Sequence, residues 1–423
     1  MKKLFVFTLT AVLTLGLSIS TYAFSDTVTE KLKGTVTLYL NESKAYVDGV
    51  QSQIDPENKN VYPVISQNKT LLPLRFTAES LKAEVKWDKK TNTATLSLNG
   101  KTVKITTGST KMFINGKESK LDVPAKTIEG RLFIPVRAVA EAFDKKVFWD
   151  KRGLVIISDK DEPLDSEEEI VEVILGKYDE VNSFSEGLAG IKKDDKWGYI
   201  DETGVEVVKP KYDVTDLFIY GLAKVIENDK YGFIDKTGKE VIELKYDYAD
   251  PFFDELVRVE KGDKWGFIDK TGKEVIELKY NWANPFWEDL ARVDRDGKCG
   301  FIDRAGKEVI ELKYDCAASF SEGLAAVKKD DKWGFIDKTG KEVIELKYEE
   351  TNSFSEGLVA VARNGKWGFI DKTGKEVIEL KYDSVTSFTE DVASVAVACV
   401  VQDGREFFID KEGKEVEGVN VSE

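Results

Sequence analysis

Trp333-Gly334-Phe335-Ile336-Asp337-Lys338-Thr339-Gly340-Lys341-Glu342-Val343-Ile344-Glu345-Leu346-Lys347-Tyr348 decides the fold of this chain. The same stretch recurs letter for letter at 265–280 and 367–382. At 34-residue steps its opening pair also stands as Trp197-Gly198, Tyr231-Gly232 and Cys299-Gly300, and a worn seventh copy follows at Glu406-Phe407, displaced five residues by an insertion. Repetition at a fixed period means one small unit stacked many times, which builds an extended surface rather than a deep pocket. A period near 34 also suits paired helices. Here, however, glycine or an Asp/Asn/Gly cluster interrupts the chain about every ten residues, which leaves no room for them.

The unit reads instead as three strands. In the copy beginning at Phe320, Leu324–Lys328 and Trp333–Asp337 flank Lys329-Asp330-Asp331-Lys332. That connector becomes Lys261-Gly262-Asp263-Lys264 and Arg363-Asn364-Gly365-Lys366 elsewhere, which is hairpin chemistry. Asp337-Lys338-Thr339-Gly340-Lys341 fits a type I turn closed by a left-handed glycine, and a third strand is expected near Glu342–Tyr348. Comparison between copies marks the shared core: phenylalanine at 184, 218, 252, 286, 320, 354 and 388, tyrosine at 178, 212, 246, 280, 314, 348 and 382, and isoleucine at 200, 234, 268, 302, 336, 370 and 409.

These residues, from about 171 to the end, resemble the WG-repeat family. The resemblance implies an all-β repeat array of about seven units over 170–423, credited with interaction rather than catalysis. The array reads as an open β superhelix, because its outer copies diverge as end caps must. The alternative is a closed, propeller-like ring, since Ile170–Leu175 looks like the closing strand of a missing unit.

The region 31–158 is itself duplicated. Leu71-Leu72-Pro73-Leu74-Arg75-Phe76 is matched by Leu132-Phe133-Ile134-Pro135-Val136-Arg137, with proline and arginine each 62 residues on, and Trp87-Asp88 by Trp149-Asp150 at the same offset. Each half predicts a short strand, a proline-started helix and a β-hairpin. The pattern resembles the copper amine oxidase N-terminal domain-like (stalk) family, common in exported proteins of Gram-positive bacteria. It implies a small α+β domain, an antiparallel sheet with helices, that is an accessory even where an oxidase is attached. Arg75 and Arg137 could pair as anion ligands; the expectation is that each ties to a nearby carboxylate such as Glu79 or Glu141. Trp87 and Trp149 are expected in the core rather than as sugar platforms.

Composition narrows the function classes. Lys2-Lys3 followed by an apolar run from Leu4 to about Ile19, with small residues near Ala23, reads as a secretory signal peptide over 1–23. No later stretch is apolar enough to insert in a membrane once that leader is removed. A net charge of −15 argues against nucleic acid as a partner. Residues 159–169 read as a solvated acidic linker. Cys299, Cys316 and Cys399 lack framework spacing, and histidine is absent, so imidazole-based catalysis and imidazole metal sites are excluded. No cofactor and no metal is expected. Asp294-Arg295-Asp296-Gly297 lacks the later ligands of a calcium loop and reads as a hairpin turn.

Differences between copies concentrate just after the shared tyrosine. There Tyr248, Phe253, Trp282 and Trp287 form a candidate ligand face suited to stacking on a sugar or a peptide. The competing reading is a drifting loop that buries these rings against the next unit. The expected function is a secreted, non-enzymatic protein presenting its repeats to a protein or glycan partner at the cell envelope. The alternative is a carboxylate-based cell-wall or extracellular polysaccharide hydrolase, or its accessory. The sequence sets neither the ligand nor the oligomeric state.

Overall fold

The computed structural model describes residues 23–390 and 396–416. The leader expected over 1–23 lies outside them but for Ala23, as does part of the seventh repeat. The chain divides into two compact bodies, 1–212 and 213–423, each described by itself.

In the second body repeats two to six are each a four-stranded antiparallel meander, and the seventh adds a short fifth strand, Thr389–Glu390. The fifth repeat comprises Cys316–Ala317, Leu324–Lys329, Lys332–Asp337 and Glu342–Tyr348, each strand paired with its sequence neighbour. The sequence led us to expect three strands. The fourth arises because the chain turns directly after each shared tyrosine, so that Cys316 and Ala317 pair with Lys328 and Val327. Only Asp315 separates the end of one sheet at Tyr314 from the start of the next. The hairpin between the middle strands has Asp330 and Asp331 at φ 52° and 62°, as a type I′ turn requires. In the following turn Asp337 Oδ1 accepts from the Thr339 amide, the Thr339 hydroxyl and the Lys341 amide at 2.9, 2.6 and 3.1 Å.

The shared isoleucines and tyrosines are buried in every repeat. One sheet has two faces to cover, and the neighbouring repeat covers one of them. Phe267 meets Phe286 of the next repeat at 4.8 Å between centroids, and Phe301 meets Phe320 at the same distance. Gly306 and Gly340 lie against Ile276 and Ile310 of the preceding repeat; a Cβ on either glycine would come within 3.2 and 3.3 Å of the isoleucine. A side chain there would push adjacent sheets apart.

In the first body the duplicated halves pair with one another. Leu71, Leu72 and Pro73 run antiparallel to Pro135, Ile134 and Phe133 at the centre of a four-stranded sheet. Helices α1 (Asp26–Lys31), α2 (Leu74–Ser80), α3 (Val136–Ala142) and α4 (Glu167–Leu175) complete this body. The expected strand–helix–hairpin order holds in both halves. Two expectations need correction. Trp87 and Trp149 are 41% and 46% exposed, on strand faces left open among the described residues, so they are not core. Ile170–Leu175 is not a strand but the body of α4.

Helix α4 also ties down part of the segment expected to be solvated. Leu164 is buried with Val173 and Ile174 against the N-terminal sheet, and Lys31 pairs with Asp165 and Glu169. On its other side Val171 and Leu175 pack with Tyr178, Ala189, Ile191 and Ile200 of the first repeat. A Cβ on Gly204 would lie 3.6 Å from Ile174 and Val171. This is the place where later repeats present the isoleucine of a preceding sheet, so α4 fills the position of a repeat before the first.

Candidate binding surface

The four aromatic candidates fall on two different surfaces. Tyr248 and Trp282 start the short first strands of the third and fourth repeats, where they join a ladder with the Trp-Gly aromatics. Ring centroids run Tyr231–Tyr248 at 5.5 Å, Tyr248–Trp265 at 5.5 Å and Trp265–Trp282 at 4.9 Å. Arg258 lies across the ladder, 4.5 Å from Trp265, 5.2 Å from Trp282 and 5.7 Å from Tyr248. It also donates to Asp250 at 2.9 Å and to the Ala283 carbonyl at 2.6 Å. A guanidinium so held joins two repeats through stacking and charge-assisted hydrogen bonds. Tyr248 and Trp282 are anchored by Asp250 at 2.8 Å and Asn284 at 2.7 Å. Most of this ladder is inter-repeat packing, with Trp282 its more exposed end.

Phe253 and Trp287 stand elsewhere, on the loop between the first and second strands of their repeats. They are 66% and 63% exposed, and Tyr220 of the preceding repeat is 61% exposed. The later repeats carry Ser321 and Ser355 at the Phe253 position. There each serine hydroxyl donates to a carbonyl of the next repeat, Phe354 or Phe388, at 2.8 Å. Repeats three and four have therefore exchanged a joint between repeats for a large ring facing water.

A line of ion pairs runs beside these loops. Arg304 pairs with Asp254 at 2.5 Å, Lys338 with Glu288 at 3.2 Å, Lys372 with Glu322 at 3.1 Å and Lys411 with Glu356 at 2.9 Å. In the second repeat the acidic position is Tyr220, and Lys270 sits 4.3 Å from its ring centre. The exposed rings are thus set in a charged, laterally braced rim. Tyr220 and Arg258 were not singled out in the sequence. The signal was available: position 258 is Lys224, Arg258 and Arg292 in repeats two to four but Ala326 and Ala360 afterwards.

Other chemistry is sparse. Asp294-Arg295-Asp296-Gly297 is a hairpin turn with Asp296 and Gly297 at φ 53° and 75°, and Asp294 is bound by Arg292 at 2.6 Å. Arg75 Nε lies 4.0 Å from Glu79, the expected ion pair. Among the described residues no three or more Cys, Asp or Glu side chains are grouped to hold a metal, and the chain has no histidine, so a copper site does not fit it. No helix among the described residues is long and apolar enough to cross a membrane.

A run of four-stranded meanders behind a small α+β domain defines a β-repeat protein with an accessory N-terminal domain. The WG containing repeat matches seven successive stretches between residues 172 and 404, and the chain belongs to that family. The copper amine oxidase N-terminal domain matches residues 53–157. No curated protein matches the chain. Among solved structures it is similar to Hsv2p of Kluyveromyces lactis, at 10% identity and TM-score 0.30 over 57% of this chain and 97% of that one. It is also similar to a eukaryotic initiation factor, at 10% identity and TM-score 0.34 over 91% and 95%. A third likeness is to the extracellular domain of the putative hybrid two component system BT4673 from B. thetaiotaomicron, at 9% identity and TM-score 0.26 over 87% and 61%. Likeness at these scores carries no functional argument.

Proposed function

We propose that this is an exported, non-catalytic binding protein whose WG repeats present the loop edge of repeats two to four to a protein or glycan partner at the bacterial cell envelope. The exchange of a bonded serine for an exposed ring at Phe253 and Trp287 carries the reading. Scaffold economy favours serine there, and large exposed aromatics beside charged groups are the composition of binding hot spots. Export rests on the basic-then-apolar start of the chain and on the N-terminal domain's family.

The non-catalytic part is supported by the work the carboxylates do. Asp235, Asp269, Asp337 and Asp371 are held below the usual carboxylate range, first by a threonine hydroxyl and then by backbone amides. A glycosidase needs a carboxyl raised and kept protonated opposite a second one; Glu260 is held above its ordinary range, by burial and then by Asp263 and Asp247, and is the carboxyl a hydrolase reading would have to use. The test is retention of the full chain on purified cell-envelope glycan and on envelope protein fractions, comparing wild type with Phe253→Ser/Trp287→Ser. Binding lost in the double variant at unchanged melting temperature supports the reading. Equal binding by both, or none by either, sinks it, and release of reducing ends from the glycan would establish the hydrolase instead.

A further inference from the structure

The N-terminal domain carries one constellation twice. Arg75, Glu79 and Trp87 recur 62 residues on as Arg137, Glu141 and Trp149. Both tryptophans face outward although their strands offer apolar positions on the covered side. The second copy differs in its surroundings. Arg137, Glu141 and Trp149 line a groove of about 680 Å³, a volume within the range of small-molecule sites. Its opposite walls come from the hairpin bearing Asn68 and Lys69 and from the strand bearing Ser119 and Lys120. Lys69 is held by Asp122 at 2.7 Å, which leaves Arg137 and Lys120 as the cations facing the groove.

The chemistry of this lining is selective. An indole face offers a flat apolar plane to the C–H side of a pyranose ring. A guanidinium beside it binds a carboxylate through two parallel hydrogen bonds. Asn68, Thr70 and Ser119 supply the neutral donors and acceptors that ring hydroxyls need. Glu141 and Asp122 place two carboxylates in the same groove, so a ligand's charge must be met directly by Arg137 and Lys120, which favours one carboxylate per ring over a clustered polyphosphate. We propose that the groove binds an acidic saccharide, a pyranose bearing a carboxylate, with the ring on Trp149 and the carboxylate on Arg137. This site is separate from the edge of repeats two to four and stands whether or not that edge binds anything.

The duplication supplies its own control. Titration calorimetry on the full chain would use α-1,4-linked trigalacturonate, its methyl ester, which keeps the rings and removes the charge, and the tripeptide Ala-Ala-Ala. Trigalacturonate should bind; Arg137→Ala should weaken it at least about tenfold, the loss of one charged hydrogen-bonding partner, and Trp149→Ala up to about tenfold, the loss of ring stacking. Arg75→Ala and Trp87→Ala should leave binding unchanged, and the ester should bind at least about tenfold more weakly for the same reason. All four side chains lie at the surface, outside the cores, so the variants should keep their fold, and unchanged circular dichroism verifies it. No binding of trigalacturonate, equal binding of the ester, or equal loss in both halves overturns the proposal. Binding of Ala-Ala-Ala with the same dependence on Arg137 replaces it with a peptide-carboxylate site.

Discussion

A methyl group placed on the Cα of Gly334 would sit 2.5 Å from the carbonyl oxygen of Ile344. The two residues lie on adjacent strands where the ladder slips register between Trp333 and Phe335. The bulge brings one backbone onto the other, and only glycine leaves room for it. Gly198, Gly232, Gly266, Gly300 and Gly368 repeat the relationship. The tryptophan beside them has no such constraint, since Tyr231 and Cys299 take its place in two repeats. Gly334→Ala should therefore destabilise the array by about 2–3 kcal/mol, the cost of overpacking against backbone. Trp333→Tyr should cost less. Chemical denaturation of both variants checks this, and an equal or inverted ranking refutes it.

Arg258 joins repeats three and four, and alanine stands at its position in repeats five and six. Its side chain is 11% exposed and that of its partner Asp250 20%, so water reaches the two charges only in part. Removing the arginine leaves the half-buried Asp250 carboxylate with the Tyr248 hydroxyl beside it. Arg258→Ala should cost about 2 kcal/mol, the loss of charge-assisted hydrogen bonds from a half-buried carboxylate. The double change Arg258→Ala/Asp250→Ala should cost less than the single one, and a thermodynamic cycle over the four proteins measures the difference.

The register of the array was legible in the sequence because every core position is written several times. Even Ile174 keeps it, standing 34 residues before Val208 as Tyr178 stands before Tyr212. Its secondary structure was misread. The β-branched run Ile170–Ile174 suggested a strand, whereas the local signal was Ser166 followed three residues later by Glu169. Ser166 Oγ accepts from the Glu169 amide at 3.3 Å and three glutamates fill the first turn. The candidate surface was legible only as variability. Phe253 lies five residues after Tyr248, but the first strand ends at Ala249 and the loop turns away, so sequence neighbours face different surroundings. The exposure of Trp87 and Trp149 was hidden because alternation marks two faces of a strand without saying which one is covered. Ile174→Ala tests the capping role of α4. It should destabilise the first body by about 2–4 kcal/mol and speed hydrogen exchange over 188–212. Unchanged exchange there would remove α4 from the array.

Acid should act on the turns before the cores. Asp269, Asp337 and Asp371 have folded pKa values below their ordinary 3.8, the threonine hydroxyl at the second following residue being the largest cause. A depressed folded pKa gives stability that is complete above the unfolded value and is lost as pH falls through the folded one. With no histidine in the chain, stability should be flat between about pH 5 and 8 and decline below about pH 4. Replacing the three aspartates by asparagine keeps an acceptor oxygen without the charge. The variant should show a shallower acid limb in thermal melts taken across that range, and an unchanged limb would assign the decline to other carboxylates.

The three cysteines should differ in reactivity. Burial, with a hydrogen-bonding contribution from Asp294, pushes the Cys299 thiol up to about 11 against a smaller opposing effect of Arg292. Cys399 is also pushed up to about 11, by burial and by its hydrogen bond to Glu406 at 3.0 Å. The thiolate is the reacting form, so at pH 8 only about one in a thousand of each is competent. Cys316 opens the fifth repeat on a short strand and is only half-buried. Iodoacetamide at pH 8 should label Cys316 first, with Cys299 and Cys399 slower. Peptide mass spectrometry over a time course reads the order directly. Glu406→Gln should speed Cys399 alone, because it removes the negative charge that opposes its thiolate while leaving the surroundings of Cys299 intact. If Cys299 accelerates equally, the cause is local unfolding rather than the thiol's own environment.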